Sequence, residues 1–212
     1  MAKAKKRYGI MGGTFNPIHT GHLVVAEEVR CEFKLDKVIF MPTGNPPHKV
    51  GGEVASGEHR YEMTLLATVT NPYFEISRLE LDRQGITYTV DTMTTLKDIY
   101  KDEVELYFIT GADSLLQLHT WKDSDKILEV CKIVAATRPG YDLGDMEDKL
   151  KELNEVNKDQ ISTITTPGLQ ISSTDIRNRI KEGNTIKYLL PESVEVYIKK
   201  YNLYKDKGDR EW

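Results

Sequence analysis

One pattern recurs along the chain and limits its possible folds more than any other. It is a short run of branched and aromatic residues, then a turn rich in Gly, Pro or Asn, then a stretch with helical spacing. Tyr8–Met11, Lys37–Met41, Glu105–Ile109 and Lys132–Thr137 have strand character. The first three lead into Gly12-Gly13, into Pro42-Thr43-Gly44-Asn45-Pro46-Pro47 and toward Gly111. Helical periodicity follows over His19–Phe33, Glu58–Val69, Val90–Tyr100 and Asp145–Asn157. In the first of these, Leu23, Ala26 and Val29 alternate with Glu27, Glu28 and Glu32, as a helix lying on a sheet requires. Apolar strands interleaved with such helices predict an α/β fold with a parallel sheet covered on both faces. Ligands of these sheets bind beyond the carboxyl ends of the strands, so the loops that follow the strands are where chemistry is expected.

The 212 residues suit a single domain spanning 1–212, with a core over about 7–165 and a helical C-terminal part over about 167–204. That last part reads as two helices, Thr174–Glu182 and Glu192–Tyr201, before a Lys- and Asp-rich tail. With 29 Lys and Arg against 33 Asp and Glu, the formal charge of −4 argues against duplex nucleic acid, whose binding needs a broad cationic face. No apolar run approaches a membrane span, and the basic start MAKAKKR leads only into the short stretch YGIM, so a cytoplasmic protein is expected. Cys31 and Cys131 form no metal-ligand spacing and fall at helix and strand positions that suggest packing.

After the first strand comes Gly12-Gly13-Thr14-Phe15-Asn16-Pro17-Ile18-His19-Thr20-Gly21-His22. Adjacent glycines let backbone amides approach a bulky ligand, and Pro17 stiffens the turn. His19 and His22 stand three apart near a helix start, on one face, so both imidazoles can address one anion at the free amides there. Either histidine alone reads better as a surface residue; the whole string at the end of a strand points to a phosphate site. Neither GxGxxG nor GxxxxGK[ST] occurs in the chain, so this is neither a dehydrogenase fingerprint nor a P-loop.

Ile171-Ser172-Ser173-Thr174-Asp175-Ile176-Arg177 places hydroxyls and amides at a second predicted helix start. Ser172 with Asp175 reads as a helix cap, compatible with phosphate binding by Ser172, Ser173, Thr174 and Arg177, while Arg179 reads as an i,i+4 partner of Asp175. Asp113 reads equally as the cap of a short helix through Leu118 or as a carboxylate gripping a ribose or base. Trp121 fits half-buried packing or a stacking platform. Asn45-Pro46-Pro47-His48-Lys49 fits a solvated turn or a substrate-phosphate loop.

The GGTFNPIHTGH string and ISSTDIR, about 150 residues apart, resemble the two signatures of the nucleotidyltransferase superfamily with (T/H)xGH and ISSTxIR motifs. Tyr88-Thr89-Val90-Asp91-Thr92, Thr110-Gly111-Ala112-Asp113-Ser114-Leu115 and Ala136-Thr137-Arg138-Pro139-Gly140 narrow the likeness to the bacterial nicotinate-mononucleotide adenylyltransferases, over essentially the whole chain. Asn16 departs from the pattern, since many members carry Asp there.

The resemblance implies a Rossmann-like, doubly wound parallel sheet with helices on both faces and a C-terminal helical segment. It also implies adenylyl transfer from ATP to nicotinate mononucleotide with release of pyrophosphate, in NAD biosynthesis. His19, His22 and Arg177 are the catalytic residues it implies. Gly12, Gly13, Thr14, Phe15, Gly111, Asp113, Ile171, Ser172, Ser173 and Thr174 join them around ATP. Asn16, His48, Lys49, Thr89, Trp121, Lys122 and Arg138 fall to the second substrate: Trp121 stacks on the pyridine ring, while backbone amides near Thr89 and at Lys122 read its carboxylate. Mg²⁺ enters with ATP, bound through its phosphates rather than by a protein cage, and a homodimer fits the resemblance. Two alternatives use the same signatures. One is transfer to nicotinamide mononucleotide or phosphopantetheine; the other is a nucleotide-sensing protein without turnover.

Overall fold

The computed structural model describes residues 4–44, 54–137 and 160–205. The four apolar runs are parallel strands: β1 (Lys6–Gly13), β2 (Lys37–Pro42), β4 (Val104–Gly111) and β5 (Lys132–Thr137). Two further strands, β3 (Phe74–Ile76) and β6 (Ile161–Thr165), pair at either side, giving the order β3-β2-β1-β4-β5-β6 with every pairing parallel. Neither was expected from the sequence. The first has three residues, and the second has only two apolar residues in five, Ile161 and Ile164, each strand being at a sheet edge with one neighbour.

β1 and β4 are also longer than their apolar runs. Gly12 and Gly13 pair with Met41 and Pro42, and Gly111 pairs with Ala136, so these glycines are the last residues of strands rather than the first of loops. Backbone pairing needs no side chain, so an apolar pattern stops short of the true strand end.

Along each central strand the side chains alternate between two cores. Val38, Phe40, Tyr107, Ile109 and Val134 pack with α1 (Thr20–Glu32), α2 (Gly57–Thr68), α6 (Ser173–Lys181) and α7 (Glu192–Lys200) through Ala26, Val29, Met63, Ile176, Ile180, Val194 and Ile198. Tyr8, Ile10, Ile39, Met41, Leu106, Phe108 and Ile133 face α3 (Thr89–Tyr100), α4 (Ala112–Leu116) and α5 (Ser124–Val130) through Val90, Met93, Leu96, Leu115 and Ile127. A fully buried Ile10 or Phe40 contributes about 1.5–3 kcal/mol, so both faces must be covered. With both faces apolar, a one-residue slip would exchange like for like, and the pattern alone does not fix register. Gly9 helps to fix it: a Cβ there would meet the Cδ1 atoms of Ile109 and Leu35 at 2.9 Å.

From β1 the chain winds outward through β2 to β3, then crosses back to place β4 on the other side of β1. The loops leaving β1 and β4 therefore diverge, opening a crevice at their carboxyl ends. Three local expectations need correction. Gly111 rather than Asp113 caps α4, and Asp113 lies in its first turn, because β4 runs straight into the helix. α5 was not anticipated, being seven residues long and entered through the left-handed Asp123 (φ 49°). Cys31 is exposed on α1 beside Glu27 and Arg30, whereas Cys131 is buried as expected. The expected helix over Asp145–Asn157 lies outside the described residues.

Candidate active site

His19 is the N-cap of α1 and His22 its third residue. The His19 backbone N–H donates to His22 Nδ1 at 3.2 Å, and the two rings stack with centroids 3.8 Å apart. Since Nδ1 accepts, a neutral His22 carries its proton on Nε2 and presents a donor beyond the helix start. Burial, and then the neighbouring His19, hold the His22 pKa well below the ordinary imidazole value of 6.5, so the neutral form prevails at neutral pH. The edge of the Phe15 ring lies against His22 at 5.2 Å between centroids, completing the seat.

The glycines nearby divide by role. A Cβ on Gly13 would come within 2.9 Å of the Phe15 ring, and one on Gly21 within 3.1 Å of His19 Nδ1. These two make room for the site's own rings rather than for a ligand, which corrects the expectation for Gly13. Gly111 is different: a Cβ there meets nothing within 4 Å and its space is the crevice itself.

Opposite the histidines stands the start of α6. Ser172 Oγ accepts from the Asp175 N–H at 3.1 Å, the expected cap, and Arg179 pairs with Asp175 at 2.8 Å. Ser173 Oγ donates to the Pro17 carbonyl at 2.8 Å, and Arg177 Nη1 donates to the Asn16 carbonyl at 2.9 Å. The two signatures, far apart in sequence, are thus bonded directly to each other. Between them lies a cleft of about 400 Å³ lined by Gly12, His19, His22, Gly111, Ser172 and Ser173 among others, Ile171 included. A larger depression of about 710 Å³ at the amino ends of β1 and β4 is lined by Lys5, Lys6, Tyr100 and Asp102 and touches none of the motifs. Chemistry rather than size therefore identifies the site.

Other expected residues take different places. Thr14, Phe15 and Asn16 form the floor under the histidines: the Thr14 carbonyl accepts from Arg60 Nη1 at 2.9 Å, Phe15 is buried, and Asn16 Oδ1 accepts from the Ala55 N–H and the Tyr204 hydroxyl at 3.0 and 2.9 Å. Thr174 is exposed at the start of α6 and receives Arg177 Nη2 at 3.4 Å. Asp113 is exposed two residues beyond Gly111.

Thr89, Trp121 and Lys122 gather on the other face of the sheet. Trp121 stands edge-on to Phe108 at 5.7 Å, and Phe108 lies 3.4 Å from where a Gly12 Cβ would be. Lys122 Nζ reaches Asp91 at 3.6 Å and the Tyr88 ring at 4.5 Å, which brings the Trp121–Lys122 loop against the α3 start that carries Thr89. Arg83 braces that start through Thr92, Thr95 and the Asp91 carbonyl, and Thr92 donates to the buried Glu80 at 2.8 Å. Burial pushes the Glu80 carboxyl up from its ordinary value, opposed by the Thr92 bond and Arg83. His48, Lys49 and Arg138 lie outside the described residues.

Sequence reasoning missed the lining residues Thr110, Ser114, Thr137 and Thr166, as well as the support residues Arg60 and Tyr204. Arg60 is 2% exposed and donates to the carbonyls of Thr14, Gly44 and Ala55. In sequence it stands within Glu-His-Arg-Tyr-Glu, indistinguishable from a solvated helix face.

Residues 10–179 match the family model described as cytidylyltransferase-like. A protein of Thermoanaerobacter sp. (strain X514) named "Probable nicotinate-nucleotide adenylyltransferase" is 58% identical over 94% of this chain and 94% of its own length. One of the same name from Moorella thermoacetica is 55% identical over 96% and 94%. The Plasmodium falciparum nicotinic acid mononucleotide adenylyltransferase, solved in complex with NaAD, superposes with a TM-score of 0.77 over 94% of this chain and 97% of its own, at 22% identity, which speaks to the fold.

Proposed function

The chain belongs to the cytidylyltransferase-like family, and within it to the nicotinate-nucleotide adenylyltransferases, and from that membership we propose how its cleft joins ATP to nicotinate mononucleotide in NAD biosynthesis. The mononucleotide 5′-phosphate attacks the α-phosphorus of ATP. A new P–O bond forms there, and the bond to the β-phosphate oxygen breaks, with its electron pair leaving on pyrophosphate. A phosphate monoester is mostly dianionic at neutral pH, its second pKa being about 6, so no general base is required. What the enzyme supplies is alignment and relief of charge.

The observation that carries this is the stacked His19–His22 pair at the start of α1, with His22 presenting Nε2–H, bonded through its own loop to the start of α6. His22 Nε2–H and His19 hold the α- and β-phosphate oxygens as charge moves onto the leaving pyrophosphate. The amides at the start of α6, with Ser172, Ser173, Thr174 and Arg177, take the β,γ end, and Gly111 leaves room for the nucleoside beside Asp113. The mononucleotide lies across the Gly12–Phe108 boundary toward Trp121, with Thr89 and Lys122 at its pyridine carboxylate. Asn16 acts from beneath as a brace, and His48, Lys49 and Arg138 remain assigned to the substrate phosphate.

Among the described residues no cluster of three or more His, Cys, Asp or Glu side chains gathers as a metal site. Mg²⁺ is assigned to the phosphates of ATP and their waters, where it would offset their charge. No helix among the described residues is long and apolar enough to cross a membrane, and the proposed setting is the cytoplasm, with small molecules as partners and neither nucleic acid nor membrane.

The test is pyrophosphate release from ATP and Mg²⁺ with nicotinate mononucleotide, nicotinamide mononucleotide and phosphopantetheine in parallel. Turnover with the acid alone is expected. Turnover with another acceptor would keep the phosphate chemistry and overturn the pyridine-site assignments, while ATP binding without release from any acceptor would overturn the catalytic roles.

A further inference from the structure

The loop that carries the histidines is gripped by the C-terminal part of the chain at four successive points. Tyr204 donates its hydroxyl to Asn16 Oδ1 at 2.9 Å, Arg177 reaches the Asn16 carbonyl at 2.9 Å, Ser173 the Pro17 carbonyl at 2.8 Å, and the Thr20 N–H donates to the Leu189 carbonyl at 3.0 Å. His19 lies inside this gripped stretch. Three of the points sit on or just before helices α6 and α7, packed in the same core as α1. The fourth, Tyr204, lies beyond α7 and arrives by an unusual route. Asn202 and Tyr204 both take left-handed backbone conformations, φ 49° and 66°, a region that Asn visits readily and Tyr adopts only at a cost in free energy. That turn delivers a phenol to a site where both partners are buried, Asn16 at 3% and Tyr204 at 9% exposure. An observed strained conformation with a specific buried outcome is grounds for asking what the outcome does.

We propose that Tyr204 is a positioning residue for the transfer reaction, acting through Asn16 to hold His19 and His22 in register with the phosphates. Asn16 Oδ1 accepts from Tyr204 on one side and from the Ala55 N–H on the other, so the side chain is oriented from two directions. Three residues on, the His19 N–H fixes the His22 tautomer. Loss of the hydroxyl leaves Asn16 with one of these two bonds and lets the histidine stretch rotate about it. Ground-state binding of ATP also draws on α6 and Gly111 and changes little, whereas transition-state alignment depends on the histidines. The inference rests on the proposed role of the histidine pair.

The test compares Tyr204→Phe, Asn16→Ala, Asn16→Asp and the Asn16→Ala/Tyr204→Phe double variant for kcat, for KM of ATP and nicotinate mononucleotide, and for Tm. Tyr204→Phe should lower kcat by about tenfold with both KM values within about twofold. The double variant should match Asn16→Ala, because Tyr204 acts only through Asn16. Asn16→Asp keeps an oxygen at the same place and should retain most of kcat. A Tyr204→Phe enzyme with full kcat and only a lower Tm would overturn the proposal, as would losses that multiply in the double variant. If Tyr204→Phe does not fold, the Asn16 pair decides, since equal kcat for the Asp and Ala variants would overturn it. Absence of pyrophosphate release from the wild type would instead count against the proposed function.

Discussion

Replacing His22 by Ala, Asn and Gln separates the two nitrogens of its ring. In the structure Nδ1 accepts from the His19 N–H at 3.2 Å, which leaves the proton on Nε2, the atom proposed to meet substrate. Alanine removes both. Loss of one preorganised transition-state donor costs about 2.7–4 kcal/mol, or roughly 10²–10³ in kcat. Loss of a helix-cap acceptor costs about 1 kcal/mol of stability, which in a domain of this size lowers Tm by about 2–4 °C. Asparagine places its Oδ1 near the position of Nδ1, so it should keep the cap and the Tm while losing kcat as fully as Ala. Glutamine places its amide nitrogen near the position of Nε2. It should recover about tenfold in kcat over Ala, equivalent to about 1.4 kcal/mol, while losing the cap. Coupled pyrophosphate detection gives kcat, and differential scanning gives Tm. An Asn variant more active than the Gln variant would refute the tautomer and with it the donor role of Nε2.

Arg60→Met leaves three partly buried carbonyls without their donor and should cost about 1–3 kcal/mol, read as a lower midpoint in urea; an unchanged midpoint would show that water replaces the guanidinium. Gly111→Leu should leave Tm unchanged, since the backbone there is ordinary (φ −80°) and a Cβ meets nothing, while raising the KM for ATP by about tenfold or more; an unchanged KM would move the nucleoside elsewhere. The folded His22 binds its proton more weakly than a free imidazole at 6.5, so below that value the unfolded chain takes up more protons and stability falls with pH. Tm should accordingly drop between about pH 7 and pH 5.5, and His22→Gln should reduce the drop; an identical drop in the variant would assign it to other groups. Chelating Mg²⁺ should stop pyrophosphate release and leave the Tm of the free protein unchanged, whereas a lowered Tm would reveal a protein-held ion.

The sequence by itself determined the α/β class, the four central strands and the two signatures, because apolar period and turn chemistry are local and survive in one dimension. It also located His19, His22 and the Ser172 cap, whose geometry follows from positions three apart at a helix start. Tertiary structure decided what those residues touch. That Gly13 and Gly21 accommodate the rings of Phe15 and His19, each two residues away, depends on how the loop folds back on itself, and that Gly111 opens onto the cleft depends on segments from elsewhere in the fold. The edge strands β3 and β6 were hidden because a strand with one neighbour shows less apolar surface. Arg60 and Tyr204 were hidden for a related reason: a buried polar side chain is defined by partners 46 and 188 residues away, and nothing in its own neighbourhood records them. The polar signatures mark where phosphate chemistry is proposed, and only tertiary structure shows the C-terminal segment bonded to the first loop beneath it.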